Sequence, residues 1–323
     1  MKITNSILDL IGNTPLIRLN RIGKETGGEI LVKAEFLNPS GSIKDRIAKY
    51  MVEAAEKEGK LKEGYTITEA TTGNTGTALS FVAAVKGYKM LAYAPEKTAN
   101  QSRAAIMKAF GCEIKKVDTD TYEQNRNEID TSVHGGRIEI LPRILCRKLE
   151  AKDDRVWWAR QFSNPNNTAA HRECTAKEIL EQTDGQLDIF IASVGTGGTL
   201  LGVAQALKKH NPNIIIAGVE PIAAKMLAGK PEEFPLIEGI TDGIIPEIFK
   251  SGLVDRVFVV SDEDAINMAH KLAEQEGLFC GISSGANVLI SLKLAREFGP
   301  GKRIVTILPD SRDRYLEVEK YTT

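Results

Sequence analysis

The sequence predicts an α/β protein in which helices cover a mostly parallel β-sheet. Short runs rich in β-branched residues alternate with stretches of helical periodicity along nearly the whole chain, which is typical of repeated strand–helix–strand units. The chain has 323 residues, a length that suits two domains or one large unit with an ample core. Its 42% hydrophobic and 26% charged residues are ordinary for a globular protein.

The first strand–helix pair shows the pattern most clearly. Residues 30–36 are predicted as a strand because they are rich in β-branched and apolar residues. Residues 42–57 are predicted as a helix because apolar side chains recur three or four positions apart from Ile43 onwards. Ser42, with Asp45 three residues later, fits a capping pair at the start of that helix.

The same criteria place the remaining elements. Further strands are predicted at residues 66–69, 89–94, 112–117, 155–159, 188–193, 214–220, 257–260 and 303–308. Further helices are predicted at residues 75–86, 99–110, 170–181, 199–210, 262–276 and 285–298. Residues 118–143 are polar and lack periodicity, so we expect a long surface loop or insertion there, and residues 221–246 are predicted to be rich in loops.

Composition and charge exclude several classes of function. The net charge of −1 gives no reason to expect nucleic acid or an anionic membrane as partner. The four cysteines form no CxxC pair and the four histidines show no ligand spacing, so we expect neither disulfides nor a metal site. The N-terminus does not have the pattern of a signal peptide, and no apolar run approaches eighteen residues. These features predict a soluble, cytoplasmic protein.

Lys44 points most directly to chemistry. It lies in Asn-Pro-Ser-Gly-Ser-Ile-Lys-Asp-Arg, residues 38–46, where a polar loop meets a predicted helix. The start of a helix presents unpaired N–H groups and positive potential, which favours the neutral amine. Such an amine can form a Schiff base with a carbonyl compound or with pyridoxal phosphate, although most lysines at helix starts are simply solvated.

A glycine-rich loop, Ser-Val-Gly-Thr-Gly-Gly-Thr at residues 193–199, is the strongest signal for a bound anion. Its glycines let successive N–H groups converge ahead of a helix, so the loop suits a phosphate, while a purely structural turn is the alternative. A dinucleotide fold is a further alternative, since Glu220 lies where a ribose-binding acid belongs, but Leu200 replaces the third glycine of that motif. A P-loop is excluded because no Gly-Lys-Ser/Thr follows.

Two other loops open predicted helices. Thr-Thr-Gly-Asn-Thr-Gly at residues 71–76 offers helix-start N–H groups that can bind a carboxylate, or side chains that simply cap the helix. Gly-Ile-Ser-Ser-Gly-Ala at residues 281–286 places Ser283 where its hydroxyl can bond a ring nitrogen without forcing protonation, or act as a plain cap. Together with a lysine and a phosphate cradle, these loops match pyridoxal phosphate bound with an amino-acid substrate.

These stretches resemble the cysteine synthase (O-acetylserine sulfhydrylase) family of fold type II, or β-family, pyridoxal-phosphate enzymes. The resemblance runs from Ile-Gly-Asn-Thr-Pro-Leu at residues 11–16 to Leu-Pro-Asp-Ser at 308–311 and Arg-Tyr-Leu at 314–316. It implies an α/β fold of the tryptophan-synthase-β-like type, with two αβα domains and the cofactor in the cleft between them.

The resemblance implies a role for each matching residue. Lys44 would carry the Schiff base of pyridoxal 5′-phosphate, Ser283 would face the pyridine nitrogen, and Asn74 would lie near the 3′-oxygen. The residues that would hold the phosphate are Gly195, Thr196, Gly197, Gly198 and Thr199. The residues that would hold the substrate carboxylate are Thr71, Thr72 (a serine in the family), Gly73, Asn74, Thr75 and Gln161.

The implied reaction is β-replacement on an amino acid, with cysteine synthase activity as the leading expectation. O-acetyl-L-serine and sulfide would give L-cysteine and acetate through an aminoacrylate intermediate. The amine of Lys44 would remove the α-proton as general base, and the cofactor would act as electron sink. The expected partners are therefore a small amino acid and sulfide or water, with no nucleic acid and no membrane.

One stretch departs from the family. Where family members read Gly-Ile-Gly-Ala-Gly-Phe-Ile/Val-Pro near the substrate, residues 239–246 read Gly-Ile-Thr-Asp-Gly-Ile-Ile-Pro. Asp242 is either a surface carboxylate or a catalytic base that activates water. The second interpretation predicts an alternative L-cysteine lyase (desulfhydrase) activity, with L-cysteine and water giving L-serine and hydrogen sulfide, or a related β-elimination. Cystathionine β-synthase-type activity is a further alternative.

The order of elements suggests a smaller, mobile domain at residues 41–160 and a larger one formed by residues 1–40 plus 161–323. The family resemblance implies a homodimer. A non-catalytic binding or regulatory paralogue is disfavoured by the intact motifs around Lys44, Asn74 and Ser283, and a nicotinamide dehydrogenase by Leu200.

Overall fold

The computed structural model describes residues 3–71, 73–96, 101–118, 137–221 and 252–316, with the backbone alone at residues 101 and 137–140. The strands are β1 Leu16–Arg18, β2 Glu29–Ala34, β3 Thr66–Ala70, β4 Lys89–Pro95, β5 Glu113–Val117, β6 Val156–Trp158, β7 Ile189–Ser193, β8 Ile215–Pro221, β9 Arg256–Val260 and β10 Arg303–Leu308. The helices are α1 Lys44–Lys57, α2 Asn74–Lys86, α3 Gln101–Ala109, α4 Arg137–Lys152, α5 Pro165–Ala170, α6 Ala176–Gln182, α7 Gly198–His210, α8 Asp262–Glu276 and α9 Ile282–Phe298.

The strands form two sheets. The larger has the order β1-β2-β10-β7-β8-β9 and the smaller the order β5-β4-β3-β6. All neighbouring strands are parallel except β1, which runs antiparallel to β2 at the edge. The predicted α/β fold with mostly parallel sheets is therefore confirmed.

Helices cover both faces of each sheet, because the parallel strands bury apolar side chains on both sides. One core of the larger sheet packs α8 and α9 against side chains such as Ile304, and the other packs α6 and α7 against neighbours such as Val305. The smaller sheet packs α1 and α2 on one face and α4 on the other. Each sheet is thus an αβα layer, and the domain boundaries at residues 40/41 and 160/161 stay a prediction.

The prediction of a loop at residues 118–143 is wrong for the C-terminal end of that range. Helix α4 begins at Arg137 and passes through Pro142. Leu141, Leu145 and Leu149 recur every four residues and pack in the core under Trp158, a helical signal that the polar residues between them obscure. The residues before Arg137 lie partly outside the described part of the chain.

Two smaller expectations also change. The helix predicted at residues 170–181 begins earlier, at Pro165, and a π-helical turn at His171–Thr175 joins α5 to α6. The capping pair of Ser42 and Asp45 does not form, because α1 starts after Ile43 and the Asp45 carboxylate bonds Ser40 instead. Among the described residues, no helix is long and apolar enough to cross a membrane.

Candidate active site

Each sheet has a strand from which the chain connections lead away in opposite directions. In the smaller sheet β3 lies between β4 and β6, and in the larger sheet β7 lies between β8 and β10. Parallel sheets bind ligands beyond the carboxyl ends of the strands at such switch points, because the loops there diverge and leave a crevice. Four segments near these switch points matter for the site: residues 71–73 after β3, residues 159–161 after β6, residues 194–197 after β7 and residues 309–311 after β10.

The first of these segments belongs to the loop that the sequence predicts to bind a carboxylate. The Thr71 hydroxyl oxygen accepts the N–H groups of Gly73, 3.3 Å away, and Gly76, 3.2 Å away, so it caps the turn that leads into α2. Helix α2 begins at Asn74 directly after Gly73, which brings the helix-start N–H groups to this loop. Thr72 lies outside the described residues.

Gln161, in the segment that follows β6, contacts the same loop. Its Oε1 accepts the Thr75 hydroxyl at 2.5 Å, and its Nε2 donates to the Ala70 carbonyl at 3.2 Å. Its backbone N–H donates to Glu69, a carboxylate that is fully buried at the end of β3. The structure therefore brings Gln161 against the 71–75 loop, as the proposed sharing of one carboxylate requires.

The glycine-rich loop after β7 has the backbone shape of an anion cradle. Gly197 adopts a left-handed conformation with φ 83°, and α7 begins at the next residue. A Cβ added at Gly198 would lie 2.0 Å from the side-chain oxygen of Asn167, so the loop can approach Asn167 only with glycine there. The Thr196 hydroxyl oxygen accepts the Gly198 N–H at 3.4 Å, which tightens the turn.

Asn167 connects the two cradles. Its Nδ2 donates to the Gln161 carbonyl at 2.7 Å and to the Thr196 hydroxyl oxygen at 2.9 Å. It is buried, and its Oδ1 accepts no hydrogen bond from any residue that the structure describes. Asn167 therefore links the glycine-rich loop that follows β7 in the larger sheet to Gln161, which follows β6 in the smaller sheet.

Lys44 is the first residue of α1 and is partly buried. The loop before it is bound to the end of β10, where Ile43 N–H donates to the Pro309 carbonyl at 2.8 Å. His171 lies close to Lys44, and its ring nitrogen Nε2 is 3.2 Å from the Thr199 hydroxyl of the phosphate loop. Burial lowers the pKa of His171 well below its usual value, and the positive charge of Lys44 lowers it further.

Ser283 lies in the first turn of α9 and is 6% exposed. Gly281, which precedes this helix, donates its N–H to the Asp310 carbonyl at 2.9 Å. The Asp310 side chain also accepts a hydrogen bond from Asn74, so the serine turn and the carboxylate loop meet at Asp310. The serine hydroxyl carries no charge, which is the donor type expected opposite a ring nitrogen that is not forced to protonate.

Pyridoxal phosphate fits this set of residues. The Gly197 turn and the start of α7 supply N–H groups for a phosphate, and the close approach at Gly198 shows that the loop is shaped by glycine. Lys44 supplies a partly buried amine, and Ser283 a buried neutral hydroxyl. The predicted residues therefore offer a phosphate site, an amine and a ring-nitrogen partner.

Several residues that support the site were not predicted to have a role. Glu69, Asn167, His171 and Asp310 each bond a predicted site residue, but none belongs to a glycine-rich loop. Their signal in the sequence is position, since each lies at or just after the end of a predicted strand or in the segment after Gln161. Asp242 and the 239–246 segment lie outside the described residues.

Comparisons with known proteins agree with this geometry. The family model for pyridoxal-phosphate dependent enzymes matches residues 7–310. The chain is 38% identical over 323 residues to a cysteine synthase of Staphylococcus aureus strain Mu50, covering 99% of this chain and 98% of that protein. Among solved structures, the cysteine synthase of Entamoeba histolytica is similar with a TM-score of 0.89 and 38% identity, covering 100% of this chain and 92% of that one. A hydrogen sulfide-producing enzyme of Fusobacterium nucleatum is similar with a TM-score of 0.86 and 37% identity, covering 98% and 99%.

Proposed function

Because the chain belongs to the pyridoxal-phosphate dependent enzymes, within the cysteine synthase family, we propose that it catalyses β-replacement on an amino acid. The leading reaction is cysteine synthesis, in which O-acetyl-L-serine and sulfide give L-cysteine and acetate. One observation carries this proposal: Asn167 bonds both Thr196 of the glycine-rich loop and the backbone of Gln161, whose side chain contacts Thr75, so a cofactor phosphate and a substrate carboxylate can bind at neighbouring positions.

Each loop has a proposed part in holding the cofactor. The phosphate is bound by residues 195–199 at the start of α7, where N–H groups and positive potential stabilise an anion. Lys44 forms the covalent link, Ser283 faces the pyridine nitrogen, and Asn74 faces the 3′-oxygen. When bound, the cofactor supplies an electron sink for negative charge that develops at the substrate α-carbon.

The substrate carboxylate is proposed to bind at the start of α2, held by Thr71, Thr72, Gly73, Asn74, Thr75 and Gln161. The Thr75–Gln161 hydrogen bond holds these two side chains in place before the substrate binds. The substrate therefore does not have to order them. Once the substrate amino group has replaced Lys44 on the cofactor, the freed Nζ of Lys44 would take the α-proton as general base, which requires the neutral amine. Burial of His171 in its neutral form keeps a second positive charge away from that amine.

A second candidate is a lyase that uses water in place of sulfide and releases hydrogen sulfide from L-cysteine. The observation that favours it is the similarity to a hydrogen sulfide-producing enzyme at 37% identity over nearly the whole chain. In this reaction Asp242 would act as the base that activates water.

Product analysis tests both candidates. Purified enzyme is incubated with O-acetyl-L-serine plus sulfide, and separately with L-cysteine alone. Cysteine formation in the first reaction supports the synthase, and serine plus sulfide in the second supports the lyase. Lys44→Ala is the control and should reduce both to the rate without enzyme, because it removes the covalent link and the base. A colourless protein that stays colourless with added pyridoxal phosphate would exclude both reactions.

Asp242→Ala separates the two roles of that carboxylate. If Asp242 activates water, the substitution abolishes serine formation from cysteine and leaves cysteine synthesis intact. Unchanged lyase turnover would instead show that Asp242 does not activate water, as expected for a surface carboxylate.

We also propose the finer organisation that the family resemblance implies. The enzyme acts in the cytoplasm as a homodimer, and a mobile domain at residues 41–160 closes on the domain formed by residues 1–40 and 161–323. Sedimentation velocity measures the dimer, and limited proteolysis with and without substrate measures the closure.

A further inference from the structure

The side-chain amide of Asn74 is held at both ends by buried charged residues. Its Nδ2 donates to Asp310 Oδ2 at 2.5 Å, and its Oδ1 accepts Arg314 Nη1 at 2.7 Å. Asp310 is 1% exposed and Arg314 is 3% exposed, so water competes little for either contact. Both partners come from the segment that follows β10, more than two hundred residues away along the chain.

The chemistry of the two partners determines which way the amide points. A carboxylate can only accept a hydrogen bond and a guanidinium can only donate one. A flipped Asn74 amide would therefore set its oxygen against the Asp310 carboxylate and its NH₂ group against Arg314. It would lose two charge-assisted bonds and gain two repulsive contacts, so a single orientation is stable.

Asp310 is itself fixed in place. Its carbonyl accepts the Gly281 N–H at 2.9 Å, and its Oδ2 also accepts the Tyr315 hydroxyl at 2.6 Å. A Cβ added at Gly281 would lie 2.1 Å from Asp310 Oδ1, so the carboxylate is packed directly against the turn that precedes Ser283. A rigid carboxylate can hold the amide better than one on a mobile side chain.

We propose that Asp310 and Arg314 are positioning residues that lock the amide of Asn74 so that its second N–H is always available to an anionic oxygen of the ligand. The inference rests on the proposed function, in which that oxygen belongs to the cofactor. Asn74 is the first residue of α2, where the helix-start N–H groups also favour negative charge. A donor that is fixed beforehand costs no reorganisation when the anion binds.

The test compares holoenzymes that carry Arg314→Met, Arg314→Lys or Tyr315→Phe. Two readouts are independent of turnover: the dissociation constant for pyridoxal phosphate, and the ratio of its visible to near-ultraviolet absorption, which reports whether the 3′-oxygen carries a proton. Arg314→Met should weaken cofactor binding by about tenfold and lower the absorption ratio, the effect of one charge-assisted hydrogen bond. Arg314→Lys keeps a cationic donor and should restore most of both.

Tyr315→Phe is the matched control. It removes the Tyr315 hydrogen bond to Asp310, but the Gly281 N–H still binds the Asp310 carbonyl and both contacts of Asn74 remain, so both readouts should change much less than in Arg314→Met. Equal effects of Tyr315→Phe and Arg314→Met would overturn the proposal, because they would show a general loss of packing. Thermal unfolding of each variant identifies any variant that does not fold. If Arg314→Met does not fold, the test rests on Arg314→Lys, which should retain most of the cofactor affinity and of the absorption ratio.

The Asn74→Ala background shows whether Arg314 acts through Asn74. There, Arg314→Met should change cofactor affinity by less than about twofold, because the amide that it positions is gone. The same tenfold loss in both backgrounds would overturn the proposal. Failure of the proposed function is distinguishable, since the unmodified protein would then bind no pyridoxal phosphate and stay colourless.

Discussion

Lys44 is flanked by two buried charged residues that hold its loop from opposite sides. Asp45 accepts the Ser40 N–H at 2.7 Å and also bonds the Ser40 hydroxyl, which closes the turn before the helix. Arg46 reaches away from that turn to Glu35 and Glu178. The position of the amine is therefore set by a hydrogen bond on one side, between Asp45 and Ser40, and by the buried ion pairs of Arg46 on the other.

Asp45 gives the stability of the protein a distinct pH dependence. Burial raises the pKa of Asp45 from 3.8 to about 6, although its bonds to Ser40 oppose the change. Because the folded-state pKa is raised, the folded protein keeps a proton that the unfolded chain has lost, and this contribution falls as pH rises from about 4 to about 6. The loss amounts to about 3 kcal/mol.

The variant Asp45→Asn should remove that dependence. Its amide can accept the Ser40 N–H and donate to the Ser40 hydroxyl, so the turn is retained. We expect the free energy of unfolding of the variant, relative to the unmodified protein, to rise by about 3 kcal/mol between pH 4 and pH 7. Urea unfolding of both proteins at the two pH values measures this, and parallel pH profiles would contradict it.

Helix α1 is fastened to the larger sheet by a buried network of charges. Arg46 Nε lies 2.7 Å from Glu35 Oε2, and its Nη1 lies 2.7 Å from Glu178 Oε1. Lys33, in β2, lies 2.8 Å from the second oxygen of Glu178. These pairings outweigh the effect of burial and lower the pKa of Glu178 to about 2, so this carboxylate stays charged through the physiological pH range.

Arg46→Met should be strongly destabilising. It leaves the Glu35 carboxylate, which is fully buried, without its guanidinium, and breaking one side of a buried pair costs about 3–5 kcal/mol. Arg296→Met is the control, since it breaks an exposed pair with Glu25 and should cost less than about 1 kcal/mol. Chemical denaturation measures both, and equal costs would show that burial is unimportant here.

Helix α7, which follows the glycine-rich loop, crosses α5 closely at Gly202. A Cβ added there would lie 2.3 Å from the Thr168 carbonyl oxygen and 2.9 Å from the Arg172 nitrogen, both backbone atoms. Gly202→Ala should therefore destabilise the protein by about 1–3 kcal/mol despite the better helix propensity of alanine. Lys209→Ala, on the exposed side of the same helix, should stay within about 0.5 kcal/mol in the same thermal unfolding assay. An unchanged stability of Gly202→Ala would contradict this prediction and would mean that α5 and α7 can move apart at little cost.

At the scale of the whole molecule, the segments that follow the switch-point strands of the two sheets contact each other. The smaller sheet contributes the Asn74 loop and Gln161, and the larger sheet contributes the glycine-rich loop and Asp310. Contacts such as Asn74–Asp310 and Asn167–Thr196 cross between these segments. The site thus depends on both layers, and neither sheet holds all of its parts.

The cysteines offer a test of the same packing. Cys112, Cys146 and Cys280 are buried, whereas Cys174 is partly exposed, and burial raises the pKa of all four thiols. A thiol reagent at neutral pH should label one cysteine in the native protein and four after denaturation. Cys174→Ser should abolish labelling of the native protein. Rapid labelling of a second thiol in the native protein would contradict this prediction, because it would show that a region around a buried cysteine opens to the reagent.

The sequence by itself determined the alternation of strands and helices and the residue types at each strand–helix junction. These features are local, because the periodicity of side chains and the geometry of a helix start depend on a few consecutive residues. It also identified the Lys44, Asn74, glycine-rich and Ser283 motifs, each of which the structure places at the start of a helix. It missed α4, whose leucine repeat is interrupted by charged residues and Pro142.

Only the tertiary structure decided which of those motifs meet. Asn74 and Asp310 are 236 residues apart, and their contact depends on the order of strands in two sheets, which no short stretch of sequence encodes. The supporting residues Glu69, Asn167 and Arg314 emerged for the same reason, since a buried polar side chain is defined by its partners. The sequence supplied the chemical groups, and the packing of two parallel sheets fixed their positions and the direction of the Asn74 amide.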